Sequence, residues 1–276
     1  MTTNTDHPTR TTRDGDELGH ARWWPVSMGL VRRSLGNIMR LPSAFIPSVL
    51  MPLVQAIAFS GTYYAITQIQ GFPTDRSINW FMPLAVLMGS GFAGIGLGFS
   101  AIRDLETGFY DRLRMTPAPR FALVTGPLFA AVVRAVVVST IVIAVSTALG
   151  ARLAHGPLGL VPLYTASIGI AVIGGGWALG LAYRFRDMRA AAIMQLTFFL
   201  LLFLTEAWTP IEVMEGWLEV VARVNPFNGI LGLARLGYMD APMTWGDAWG
   251  GLLAIIVFGA ATLLFARRGL ARLADT

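Results

Sequence analysis

Six stretches of this chain stay apolar for the length of a bilayer crossing, and that limits the fold more than any other feature. They lie near residues 43–66, 80–102, 121–149, 160–183, 190–205 and 248–266. A helix needs about 20 consecutive apolar residues to cross the hydrocarbon core. A segment in lipid must also satisfy its backbone polar groups internally, which a helix does and an open sheet does not. Composition agrees: 54% of residues are hydrophobic and only 13% charged, where a soluble domain carries about 25%. The expected fold class is all-α, a polytopic membrane protein with six transmembrane helices. The third run is too long for one straight crossing, so its start, around Gly126 and Pro127, is expected to lie at the interface or to kink.

The charges between the runs set the orientation. All 21 basic residues are Arg. With both termini in the cytoplasm, the inner side holds Arg10, Arg13, Arg22, Arg32, Arg33, Arg40, Arg103, Arg112, Arg114, Arg120, Arg184, Arg186, Arg189, Arg267, Arg268 and Arg272. The outer side holds only Arg76, Arg152, Arg223 and Arg235. That bias places a multi-pass protein in the inner (plasma) membrane with both ends inside. It also accounts for the net charge of +5 without nucleic acid as a partner. Residues 1–22 are expected to form a disordered cytoplasmic tail, and residues 269–276 a second, short one. Residues 23–40 interleave Trp23, Trp24, Leu30 and Ile38 with Arg32, Arg33 and Arg40, the pattern of an amphipathic helix lying on an anionic lipid surface. The outer stretch 206–247 is too polar for a span and too apolar for a plain loop. Two short re-entrant helices in the outer leaflet, before the last span, would fit it.

Several chemistries are excluded. There is no cysteine, so no disulfide, thiolate nucleophile or zinc–thiolate site. There is no lysine, so no G-x-x-x-x-G-K-[ST] phosphate loop. His7, His20 and His155 are scattered through tail and loops and form no metal-ligand spacing. No nucleophile–base pairing suggests a catalytic residue. Arg134, among Ala131, Val132, Val133, Ala135 and Val136, is an intramembrane charge and so a functional candidate; snorkelling or local pairing is the simpler account. Gly94 with Gly98, and Gly176 with Gly180, form small-xxx-small pairs suited to close helix packing.

The most charged internal segment is 103–120, RDLETGFYDRLRMTPAPR. Read as one helix, it aligns Leu105, Phe109 and Leu113 at i, i+4 and i+8, and Pro117 and Pro119 end it. Such a helix suits docking into a groove on a soluble partner, and equally suits a solvated helix on an interfacial loop. The pattern Asp104, Glu106, Gly108, Phe109, Asp111, Arg112, Leu113, Arg114, Thr116, Pro117 and Arg120, followed by Gly126, resembles the first cytoplasmic loop of ABC-2-type exporter permeases, in their daunorubicin/doxorubicin resistance branch. Asn225-Pro226-Phe227, then Ala234-Arg235, resembles the N-P-x…R pattern before that family's last span. The resemblance covers residues 23–268.

The resemblance implies a permease that is not itself an enzyme and carries no cofactor. It would pair with a second copy or a homologous permease, and with two copies of a cytoplasmic ABC ATPase that hold the ATP and Mg. The loop after span two would be the coupling helix. The interfacial helix would also touch the ATPase, and spans one, two and five would border the path. The implied cargo is a hydrophobic or amphiphilic small molecule: a drug, an antibiotic or a lipid. Export of a polysaccharide or lipid-linked glycan, and a non-transporting membrane subunit, are the alternatives.

Overall fold

The computed structural model describes residues 25, 27–29, 31–33, 36, 42–70, 72–108 and 122–274. Among these residues the fold is all helix and turn, with no strand. The helices are α1 (Pro42–Thr62), α2 (Ser77–Glu106), α3 (Ala122–Ala148), α4 (Leu160–Phe185), α5 (Arg189–Phe203), α6 (Trp217–Val224), α7 (Pro226–Arg235) and α8 (Trp245–Ala274). The described residues between 25 and 36 are helical as well.

Four helices, α2, α3, α4 and α8, are long and apolar enough to cross a membrane. Of the six expected spans, these four have the length and composition of a crossing among the described residues. At 1.5 Å per residue the 15 residues of α5 reach only about 22 Å, less than the hydrocarbon core, whereas the 21 residues of α1 reach about 32 Å. The first run also stops early, at Thr62 rather than near 66, and gives way to a 3₁₀ turn at Ile66–Gln68.

The third run is one unbroken helix of 27 residues with Pro127 inside it. Proline has no N–H to offer the carbonyl four residues earlier. That carbonyl belongs to Leu123, and the Tyr183 hydroxyl of α4 donates to it at 3.3 Å. A neighbouring side chain thus replaces the lost helical bond.

α4 lies at the centre because it offers two faces of small residues. On one, a Cβ on Gly94 of α2 would lie 2.5 Å from the Ala171 carbonyl oxygen and 2.8 Å from the Gly175 nitrogen. On the other, Gly169, Gly176 and Gly180 receive Ile255, Thr262 and Phe265 of α8. With little hydrophobic drive between helices in lipid, close backbone approach supplies the dispersion contact that holds them. α3 packs on α2 and α4, α1 leans mainly on α2, and α5 touches α2, α4 and α7. α7 wedges between α4 and α8, where Gly229 meets Gly250 and Gly251 backbone to backbone.

Candidate functional site

The motif at 103–120 begins as the last turn of α2. Thr107 N–H bonds the Arg103 carbonyl at 3.0 Å and Gly108 N–H bonds Leu105 at 3.2 Å. Gly108 takes φ +65°, the left-handed conformation that closes helices and that glycine adopts without strain. The single helix expected over 103–120 is therefore interrupted at Gly108. Phe109, Asp111, Arg112, Leu113, Arg114, Thr116, Pro117 and Arg120 lie outside the described residues. Glu106 is exposed. Asp104 faces Arg33, whose guanidinium donates from Nη1 to Oδ2 at 2.9 Å and from Nη2 to Oδ1 at 2.6 Å. A carboxylate in a last helical turn meets the negative end of the helix dipole, and the paired Arg offsets that.

The second motif folds into a latch at the opposite end. Asn225 caps α7: its Oδ1 accepts from Phe227 N–H at 3.0 Å, and Pro226 occupies the first helical position, where its missing N–H costs nothing. The same amide donates Nδ2 to the carbonyls of Leu201 at 2.6 Å and Leu204 at 2.7 Å. These are final-turn carbonyls of α5, left without helical partners. Three residues on, Asn228 Oδ1 accepts from Glu206 N–H at 2.8 Å.

Arg235 completes the latch. Sequence reading placed it in the motif before the last span. It is 2% exposed, with its guanidinium 3.4 Å from the centre of the Trp80 ring. It donates to the carbonyls of Trp80 at 3.3 Å, Glu206 at 3.0 Å and Ala207 at 3.2 Å, and lies 3.5 Å from Glu206 Oε1. Only the rigid fork of guanidinium serves so many acceptors in one plane while stacking on a ring. Burial lowers its pKa to about 10, against the opposing pull of Glu206, so it remains a cation at neutral pH. Burial likewise raises Glu206, opposed by Arg235, with Glu212 adding to the rise. The latch ties α7, the end of α5 and the start of α2 into one body.

A family model described as "ABC-2 type transporter" matches residues 28–238. The chain belongs to the ABC-2 type transporter family. It is 25% identical over 198 residues, 71% of this chain and 69% of the relative, to the daunorubicin resistance ABC transporter permease protein DrrB1 of Streptomyces coeruleorubidus. It is 22% identical over 247 residues to the "Putative transport permease ycf38" of Pyropia yezoensis, covering 83% of this chain and 82% of the relative. The counterpart of the same name in Porphyra purpurea is 23% identical over 244 residues, with the same coverage. The ABC-2 match takes in Arg33, the described start of the motif at 103–120 and the whole latch.

Sequence reading missed two features of this ABC-2 chain. Asn79 is buried at the start of α2; its amide donates to the carbonyls of Arg152 and Tyr238 and accepts from Arg152 N–H, all at 3.0–3.1 Å. Ser90, Ser139 and Ser167, from α2, α3 and α4, form a fully buried hydroxyl triangle with sides of 3.3, 2.8 and 2.7 Å. Single serines in apolar runs carry no signal of mutual contact. An aromatic cluster joins Phe59 of α1, Phe81 of α2, Phe203 of α5 and Trp208. Arg134 is half-buried in α3, its Nη1 3.7 Å from where a Cβ on Gly96 would stand. Among the described residues no group of three His, Asp or Glu is placed to hold a metal.

Proposed function

We propose that this chain is the membrane permease subunit of an ATP-driven exporter that moves hydrophobic or amphiphilic small molecules out of the cell. Membership of the ABC-2 family over residues 28–238 carries this reading. The cargo class leans on the relative named for daunorubicin resistance. The transmembrane domain would occupy residues 23–268, between cytoplasmic tails at 1–22 and 269–276. α1 to α5 and α8 act as six spans, with both termini in the cytoplasm of the inner membrane. α6 and α7 sit as re-entrant elements in the outer leaflet. α6 leaves Trp217, Val220 and Val224 exposed along one face, a spacing that suits lipid contact.

Two such permeases, identical or homologous, recruit two cytoplasmic ATPase subunits that bind ATP and Mg, since this sequence has no phosphate-loop lysine. Asp104, Glu106 and Gly108, with Phe109, Asp111, Arg112, Leu113, Arg114, Thr116, Pro117 and Arg120, form the ATPase-coupling segment. α1 and α5 border the path. They present uncovered apolar faces, Leu50, Met51 and Val54 on α1 and Leu196 and Leu200 on α5.

The test is reconstitution with a candidate ABC ATPase from the same genome, reading ATP hydrolysis and daunorubicin uptake into inverted vesicles. Uptake that needs ATP, and that Glu106→Ala or Phe109→Ala uncouples from hydrolysis, supports the reading. A folded chain that never binds an ATPase ends it.

A further inference from the structure

We infer that Arg33 is a positioning residue that fixes the roots of the cytoplasmic loop 107–121, so that the helical segment around residues 25–36, the end of α2 and the start of α3 move as one piece. The inference rests on the exporter reading and deepens it. Asp104, assigned to the coupling segment by resemblance, is turned toward its own chain. Both carboxylate oxygens are occupied by Arg33, 71 residues earlier, at 2.6 and 2.9 Å. Two parallel charge-assisted bonds fix orientation as well as distance. A second contact lies on the other side of the loop: the Ser27 and Thr125 hydroxyls are 3.4 Å apart. Ser27 and Val31, one turn apart, are buried, while Arg32 and Arg33 are exposed, so the segment rests on the bundle by one face.

The two ends of the loop are thus tied to the same short helical segment, Asp104 at the exit from α2 and Thr125 at the entry to α3. A loop can pass a push from a soluble partner to a span only if its roots do not give. Gly108, at positive φ, is a break in the helix through which a force on residue 109 would otherwise dissipate. The clamp sits one turn before that break. Of the coupling residues, Asp104 therefore acts inside the chain, and exposed Glu106 is left to face the partner.

The test uses the full chain in complex with its ATPase. Arg33→Asp and Asp104→Arg are made singly and together. The absence of native cysteine lets spin labels be placed at Arg32→Cys and Arg103→Cys, both exposed sites. Each single reversal should broaden the distance between the labels. It should also lower daunorubicin transported per ATP hydrolysed by about fivefold or more, while the ATPase still co-purifies; the double swap should bring the ratio back to within about twofold. A purely structural role would lower the yield of complex and leave the ratio unchanged. An unaltered chain that couples normally, with Arg33→Asp coupling equally well, overturns the inference alone. An unaltered chain that recruits no ATPase overturns both the exporter reading and the role built on it.

Discussion

Replacing Gly94 by alanine should destabilise the bundle, while the same change two residues away at Gly96 should not. The Gly94 Cβ would stand 2.5 Å from the Ala171 carbonyl oxygen and 2.8 Å from the Gly175 nitrogen. Both are backbone atoms of α4, so no rotamer change relieves the clash and the two central helices must separate. Overpacking of this kind costs about 1–3 kcal/mol. At Gly96 the nearest atom is Arg134 Nη1 at 3.7 Å, an ordinary contact at the end of a flexible side chain. There alanine gains the helix preference over glycine, up to about 1 kcal/mol. That preference is common to both sites, so the two variants should differ by roughly 1–3 kcal/mol. Gly91→Ala, which meets the movable ring of Phe198, should fall between them. Unfolding in mixed micelles, titrated with sodium dodecyl sulfate and followed by far-ultraviolet circular dichroism, measures all three against the unaltered chain. Equal midpoints for Gly94→Ala and Gly96→Ala would refute the claim that backbone contact between α2 and α4 sets the stability of the core.

Asn225→Ala removes one cap bond and two donors to α5 carbonyls and should cost about 2–3 kcal/mol; Asn225→Asp keeps the cap alone and should recover part of the loss in thermal melts of the detergent-solubilised protein. Arg235→Met strips the cation from half-buried Glu206 and should cost about 3–5 kcal/mol, less when Glu206→Gln is added; equal losses would show that the pair is not coupled. Because burial holds Glu206 above its ordinary range, its contribution to stability is complete below the ordinary glutamate pKa and is lost as pH rises through the raised value, so Glu206→Gln should flatten the melting-temperature profile across that window. Tyr183→Phe should cost about 1 kcal/mol in the unaltered chain and close to nothing in a Pro127→Ala background, where a backbone N–H again serves the Leu123 carbonyl; a full cost in both backgrounds would show that the hydroxyl does not replace the proline's missing bond.

What sequence alone determined is what local chemistry and lipid determine. Apolar runs of spanning length leave helices as the only economical backbone, and the helices lie where those runs lie. Asn225 followed by Pro226 is a helix start within two residues, and α7 begins there. The motifs at 104–120 and 225–235 were visible as patterns, and the family match covers both. Helix ends were less legible. Leu105, Phe109 and Leu113 have helical spacing, yet the described helix ends at Glu106 and Gly108 takes a positive φ, a turn that the spacing alone does not announce. α5 stops at Phe203 although apolar residues continue to Leu204, because Asn225 takes its final carbonyls.

Only the tertiary structure decided which polar groups meet. Arg235 read as an outer-side charge, and it is the most occupied donor in the latch because Trp80, 155 positions earlier, supplies both a ring and a carbonyl. Asp104 read as a contact for a partner, and it is bound by Arg33 of its own chain. Ser90, Ser139 and Ser167 carried no signal at all. A buried donor must find an acceptor wherever the fold brings one, and nothing in the spacing of neighbouring residues encodes a partner 70 or more positions away.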